Sequence, residues 1–101
     1  MSRATINTPG QAAIAEFCRK NHIRRLSLFG SVLRNDFTPQ SDIDVLVEFE
    51  PGRTPGWEIV DMERELSRLF RHKVDLRTPQ ELHPGFRDAV IQSARVLHDA
   101  A

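Results

Sequence analysis

Apolar residues recur with two different periods along this chain, which predicts a mixture of helices and strands. Spacings of three and four predict a helix over residues 9–21, with Thr8 as its N-cap and Pro9 at the first helical position. The same spacing predicts a helix over residues 57–71 and a last helix over residues 84–98. The last helix is expected to bury four apolar residues: Phe86, Val90, Ala94 and Leu97.

Alternation with period two predicts three strands, over residues 25–29, 42–49 and 72–76. The loops between them contain proline and glycine, most clearly in residues 36–41 and 50–56. The predicted order is helix, strand, helical turn, strand, helix, strand, helix. That order predicts an α/β (α+β) fold with a small mixed sheet packed on helices, in one domain spanning residues 1–101.

Composition narrows the classes of function. The 101 residues include 14 Lys and Arg against 14 Asp and Glu, so no bulk positive charge attracts nucleic acid or an anionic membrane. The single cysteine excludes an internal disulfide and fits a reducing cytoplasm. No signal peptide or membrane-spanning apolar run is expected, and the chain is short for an enclosed substrate pocket. We therefore expect a cytoplasmic protein that meets a large substrate at its surface.

Three carboxylates are the candidate metal ligands and catalytic residues. Asp42 and Asp44 are one residue apart on a predicted strand, so both point to the same face about 7 Å apart. Two anions this close repel unless a cation lies between them, and hard oxygen ligands suit Mg²⁺ or Mn²⁺. Asp75 on a third strand would complete a cluster for two divalent ions, the arrangement used in phosphoryl and nucleotidyl transfer.

A possible phosphate site precedes these acids. Gly30 and Ser31 end the first predicted strand, where a glycine lets the backbone approach a ligand closely. The free amides of the following helical turn can receive phosphate oxygens, and Ser31 adds a hydroxyl donor. The spacing places this turn and the acids on adjacent strands.

The pattern Gly30-Ser31, ten residues, Asp42-x-Asp44 resembles that of the DNA polymerase beta-like nucleotidyltransferase superfamily. Residues 29–49, FGSVLRNDFTPQSDIDVLVEF, look like its minimal nucleotidyltransferase (MNT) branch, and Asp75 in KVDLRT matches the third acid. Arg34 and Ser41 fall where that branch usually has an arginine and a serine. The chain departs from the branch at Asn35-Asp36, where a small residue and then an acid are common.

The resemblance implies transfer of AMP from ATP to an acceptor hydroxyl with two Mg²⁺ ions. Proteins of this branch commonly act as antitoxins, whose partner is a HEPN-type ribonuclease that they adenylylate on a tyrosine. Two alternatives stay open. One is a non-catalytic antitoxin that acts by binding alone, and the other is a nucleotidyltransferase for a small molecule such as an aminoglycoside.

Three residues have simpler interpretations beside the functional one. Arg34 is either a nucleotide-binding residue or a surface partner of Asp36. Ser41 is also a candidate nucleotide-binding residue, although a cap on the turn before the strand is favoured. Trp57 is expected to anchor the helix that it opens rather than to stack on a base.

Overall fold

Two amphipathic helices cover one face of a sheet in the computed structural model, which describes residues 6–100. Helix α1 spans Gln11–Lys20 and helix α2 spans Glu58–Phe70. Their buried residues recur at spacings of three and four, as the sequence predicts, and enter one hydrophobic core: Ile14, Phe17, Cys18, Met62, Leu66 and Phe70. Among the described residues, no helix is long and apolar enough to cross a membrane.

The sheet is mixed, as predicted, but has four strands rather than three. Strands β1 (Ile23–Phe29), β2 (Ile43–Phe49), β3 (Val74–Arg77) and β4 (Arg95–Asp99) are arranged in the order β3-β2-β1-β4. Strand β1 is antiparallel to both β2 and β4, whereas β2 and β3 are parallel. The parallel pair is joined through α2, which matches the need of parallel strands for a long crossover connection.

Alternation along the strands gives the sheet two different faces. The face under α1 and α2 is apolar and includes Val45, Val74 and Leu76. The opposite face carries Asp44, Asp75 and Arg77, because successive side chains point to opposite sides of a strand. We call this second face the acid face.

The prediction of the last helix is wrong for its C-terminal third. Helix α3 spans only Pro84–Ser93, and the chain then turns into the edge strand β4. Of the four residues expected to be buried, Phe86 is 51% exposed and the other three are at most partly covered. The reason is tertiary: without β4, strand β1 would leave a row of backbone groups unpaired, and pairing with β1 outweighs the local helical pattern.

Smaller differences concern the ends of helices. Helix α1 is preceded by Gly10 as its N-cap, without a side-chain cap, so Thr8 and Pro9 lie outside the helix. Trp57 precedes α2 and is 91% exposed, so it does not anchor that helix in the core. The structure therefore contradicts both interpretations.

The buried thiol of Cys18 should be chemically inert in the native protein. Cys18 is fully buried on α1, and burial raises the pKa of its thiol to about 12, so the nucleophilic thiolate is scarce at neutral pH. We expect negligible reaction with a disulfide reagent at pH 8 and complete reaction in guanidinium chloride. Fast labelling of the native protein would instead show that α1 detaches readily from the sheet.

Candidate active site

The end of β1 approaches the acid face through a glycine. Gly30 has a φ of +78°, a conformation that residues with a side chain rarely adopt. It opens the 3₁₀ helix Gly30–Leu33, and a Cβ atom added to it would lie 2.3 Å from Oδ2 of Asp44. The backbone of Gly30 thus packs directly against the Asp44 carboxylate. Ser31 follows within the same short helix, whose first amides have no intrahelical acceptor.

Strand register brings two of the predicted acids side by side. Asp44 pairs with Asp75 across the parallel strands β2 and β3, and Asp44 also pairs with Phe29 of β1. Asp42 lies just before β2 and two residues from Asp44, so it belongs to the same end of the sheet. The candidate phosphate turn and the three candidate metal ligands therefore meet at one corner of the acid face.

The position of Asp75 depends on α2, a feature that the sequence analysis missed. The carboxylate of Glu63 accepts a hydrogen bond from the amide of Leu76 at 2.8 Å, and the hydroxyl of Ser67 accepts one from Val74 at 3.0 Å. These bonds satisfy the outer edge of β3 on both sides of Asp75. Acidic and hydroxyl residues on the otherwise apolar face of α2 were the available signal.

Hydrogen bonds to the backbone fix the segment that leads into Asp42 and β2. The amide of Ile43 donates to the carbonyl of Lys73 at 2.9 Å, and the ring of His72 forms a hydrogen bond with the carbonyl of Ser41. The hydroxyl of Ser41 accepts a hydrogen bond from the amide of Thr38 at 3.1 Å. Ser41 is therefore engaged in the turn before β2, which matches the favoured interpretation of this residue.

The electrostatic environment of Asp44 disfavours its charge. Burial raises the pKa of Asp44 above its ordinary value of 3.8, and the negative charges of Asp75 and Asp42 raise it further. Arg77 and Arg34 offset part of this effect. Asp44 makes no side-chain hydrogen bond or ion pair within residues 6–100. A positive ligand at this corner would relieve the unfavourable charge.

The other two acids already face cations, which the sequence analysis also missed. Nζ of Lys73 lies 3.2 Å from Oδ2 of Asp42, and Nη2 of Arg77 lies 3.1 Å from Oδ2 of Asp75. Carboxylate oxygens on adjacent strands are the donors that Mg²⁺ prefers, so the residue types fit the implied ions. As the side chains stand, however, no three His, Cys, Asp or Glu of the described chain form a group that could hold a metal ion.

Arg34 lies close enough to the site to influence it. Its Nε is 3.3 Å from Oδ1 of Asp36, so the surface ion pair exists. Arg34 also lowers the pKa of Asp44, which places its charge within electrostatic range of the acids. The two interpretations of Arg34 are thus compatible, because an exposed ion pair of this kind is weak and easily exchanged.

The loop over residues 50–56 lies far from this corner. Strand β2 starts beside Asp42 and ends at Phe49, so the loop follows the opposite end, about 20 Å away at 3.3 Å per residue. There it lines a cleft of about 480 Å³ together with Lys20 and His22 at the end of α1. This loop does not border the acids, and the acid face itself is the surface that a substrate would approach.

Known proteins are similar to this chain in sequence and fold. Residues 12–98 match the family model described as Nucleotidyltransferase domain. A candidate protein adenylyltransferase of Methanocaldococcus jannaschii is 36% identical over 75 residues, which cover 74% of this chain and 80% of that protein. A solved structure described as a candidate minimal nucleotidyltransferase is 32% identical, with a TM-score of 0.68 over 83% of this chain and 85% of that one.

A more distant structure shows the same fold in a complex. It contains a tri-AMPylated HEPN toxin of Shewanella oneidensis with its MNT antitoxin. The similarity is 20% in sequence, with a TM-score of 0.62 over 88% of this chain and 69% of that chain. The match of the family model to most of the chain, together with the two closer relatives, leads to one conclusion: this chain belongs to the nucleotidyltransferase domain family, in its minimal form.

Proposed function

We propose that this enzyme is an antitoxin that transfers AMP from ATP to a tyrosine hydroxyl of a HEPN-type ribonuclease and thereby neutralises it. The observation that carries the proposal is the pairing of Asp44 with Asp75, with the backbone of Gly30 packed against Asp44. The family match supports nucleotidyl transfer, and the named relative supports a protein acceptor. The structure of an AMPylated HEPN toxin with its MNT antitoxin, in which one chain has the same fold as this protein, suggests the class of partner.

In the proposed reaction, the acceptor oxygen attacks the α-phosphorus of ATP. The new O–P bond forms as the bond from the α-phosphorus to pyrophosphate breaks, and the hydroxyl proton passes to Asp75. Gly30 and Ser31 offer backbone amides and a hydroxyl to the phosphates, and Arg34 adds a positive charge beside them. Mg²⁺, held by Asp42, Asp44 and Asp75, would stabilise negative charge on the attacking and leaving oxygens.

Access to the acids favours an acceptor carried by another protein. The side chains of Asp42 and Asp75 are 40% and 28% exposed, so both are reachable from solvent. A tyrosine on a protein surface can reach such a corner, whereas a small acceptor needs walls that bury most of its surface. Helices α1 and α2 lie behind the sheet, and the covered part of the acid face lies around the buried Leu46, two residues beyond Asp44.

Transfer should be visible as labelling of the partner. The protein would be incubated with ATP labelled at the α-phosphate, Mg²⁺ and a HEPN-type protein encoded beside it. We expect wild type to label that protein and Asp75→Asn to label it at least about a hundredfold more slowly, because proton transfer and charge stabilisation are both lost. Complex formation by Asp75→Asn, measured by gel filtration, should persist.

The matched control is Asp61→Asn, which neutralises an exposed acid on α2, on the other side of the sheet. This variant should label the partner as wild type does. Neutralisation of the ribonuclease without any labelling would support the alternative of inhibition by binding alone. Efficient labelling of an aminoglycoside but never of the partner would support the small-molecule alternative instead.

A further inference from the structure

The corner of the acid face that holds Asp42, Asp44 and Asp75 also holds two positive charges that have no role in the proposed reaction. Lys73 and Arg77 flank Asp75 along β3 and its approach, and each forms an ion pair with one of the acids. Lys73 pairs with Asp42, and Arg77 pairs with Asp75. Of the three acids, only Asp44 lacks an ion pair within residues 6–100.

The geometry of β3 makes Arg77 the more firmly placed of the two cations. It is two residues beyond Asp75 on the same strand, so both side chains lie on the acid face. Its backbone partner across the sheet is Leu46, two residues beyond Asp44, which brings the guanidinium close to both carboxylates. The Arg77 side chain is 48% exposed, compared with 73% for Lys73, so its ion pair is less screened by water.

These ion pairs explain why the three acids do not converge. A carboxylate directed at a guanidinium or ammonium group is not free to face a common centre between the strands. The described residues accordingly contain no three-ligand group for a metal ion, even though the acids occupy adjacent positions. Binding of a divalent cation by all three acids therefore requires that the pairs be broken first.

We infer that Arg77 is a built-in counter-ion that occupies the acid cluster in the metal-free protein, and that divalent cations must displace it from Asp75. Lys73 plays the same part at Asp42 to a smaller extent, because it is more exposed. The inference rests on the proposed function, since it assumes that the acids bind cations. It makes Arg77 a positioning residue, which acts through Asp75 and sets how readily the site is loaded.

Binding of Mn²⁺ alone tests this exchange, in which a divalent cation replaces Arg77 at Asp75. Calorimetry on the full chain without nucleotide or partner would compare wild type with Arg77→Met. This substitution keeps a long, unbranched side chain and removes its charge. We expect Arg77→Met to lower the Kd for Mn²⁺ roughly two- to fivefold, the range that corresponds to losing one partly exposed competing ion pair. Lys73→Met should produce a smaller decrease.

A second measurement separates this role from a structural one. Without metal, Arg77→Met should melt at a lower temperature than wild type, because the acids lose a neutralising charge. With saturating Mn²⁺, the same variant should gain more in melting temperature than wild type does. Arg77→Lys keeps the positive charge. Its melting temperature without metal, and its gain with saturating Mn²⁺, should lie between those of wild type and Arg77→Met.

Arg68→Met is the control for removing one positive charge. Arg68 is exposed on α2, on the opposite side of the sheet, and has no ion pair within the described residues. Its affinity for Mn²⁺ should equal that of wild type. If Arg77→Met binds Mn²⁺ no better than Arg68→Met does, or binds it more weakly, the exchange is disproved.

Failure of the exchange can be distinguished from failure of the proposed function. A wild type that labels its partner, while Arg77→Met shows unchanged Mn²⁺ affinity, would overturn only the role of Arg77. Tighter Mn²⁺ binding by Arg77→Met, together with a complete lack of nucleotidyl transfer by wild type, would support the exchange and overturn the proposed catalysis.

Discussion

Replacing Asp44 with asparagine should abolish nucleotidyl transfer while leaving the metal-free protein at least as stable as wild type. We expect the rate to fall by at least about a thousandfold, equivalent to roughly 4 kcal/mol of lost transition-state stabilisation. The fold should tolerate the change because Asp44 has no ion pair of its own within the described chain and is repelled by two neighbouring acids. Asparagine has nearly the same shape and removes that repulsion.

The effect on stability should depend on pH in a defined direction. Because burial raises the pKa of Asp44 above its ordinary value of 3.8, the folded chain binds this proton more tightly than the unfolded chain does. The resulting stabilisation is fully present below pH 3.8 and is lost as the pH rises through the higher folded value. The melting temperature of Asp44→Asn relative to wild type should therefore increase from acid to neutral pH.

Thermal melting in a chelating buffer at several pH values measures this difference. Asp42→Asn is the matched control, because it removes an acid that already has a counter-ion in Lys73 at 3.2 Å. Loss of that exposed, solvent-screened pair changes the stability little, so this variant should not be more stable than wild type. A clearly lower melting temperature for Asp44→Asn at neutral pH would mean that its carboxylate stabilises the fold.

Replacing Gly30 with alanine should impair both the fold and the site. A side chain at a φ of +78° costs about 1–2 kcal/mol, and the new Cβ would lie 2.3 Å from Oδ2 of Asp44. The Asp44 carboxylate would have to rotate away to make room. Because a displacement of about 1 Å in a catalytic group can reduce a rate about a hundredfold, we expect a loss of transfer of that order.

Gly52 provides a close control for this variant. It has a φ of +77°, almost equal to that of Gly30, but no atom lies within 4 Å of its hypothetical Cβ. Gly52→Ala should therefore lose a similar amount of stability in urea unfolding and retain full transfer activity. Equal activity of the two variants would show that the contact between Gly30 and Asp44 has no role in catalysis.

The features of this protein that depend only on neighbouring residues could be predicted from its sequence. Alternation over residues 42–49 places Asp42 and Asp44 on one face whatever surrounds the strand, since the period of two is a property of the extended backbone. The spacing of apolar residues in α2 similarly defines a buried stripe before any partner is known. Gly30 could also be identified from sequence, because a glycine at the end of a strand indicates an unusual backbone conformation.

Contacts between segments that are distant in the chain could not be predicted in this way, because they form only in the assembled sheet. Pairing between β2 and β3 aligns Asp44 with Asp75, and pairing with β1 turns the end of the predicted last helix into β4. The ion pairs of Lys73 and Arg77, and the support of β3 by Glu63 and Ser67, arise from the same contacts. Such contacts depend on strand register and on unpaired backbone edges, which are properties of the assembled sheet and leave no periodic signal in the chain.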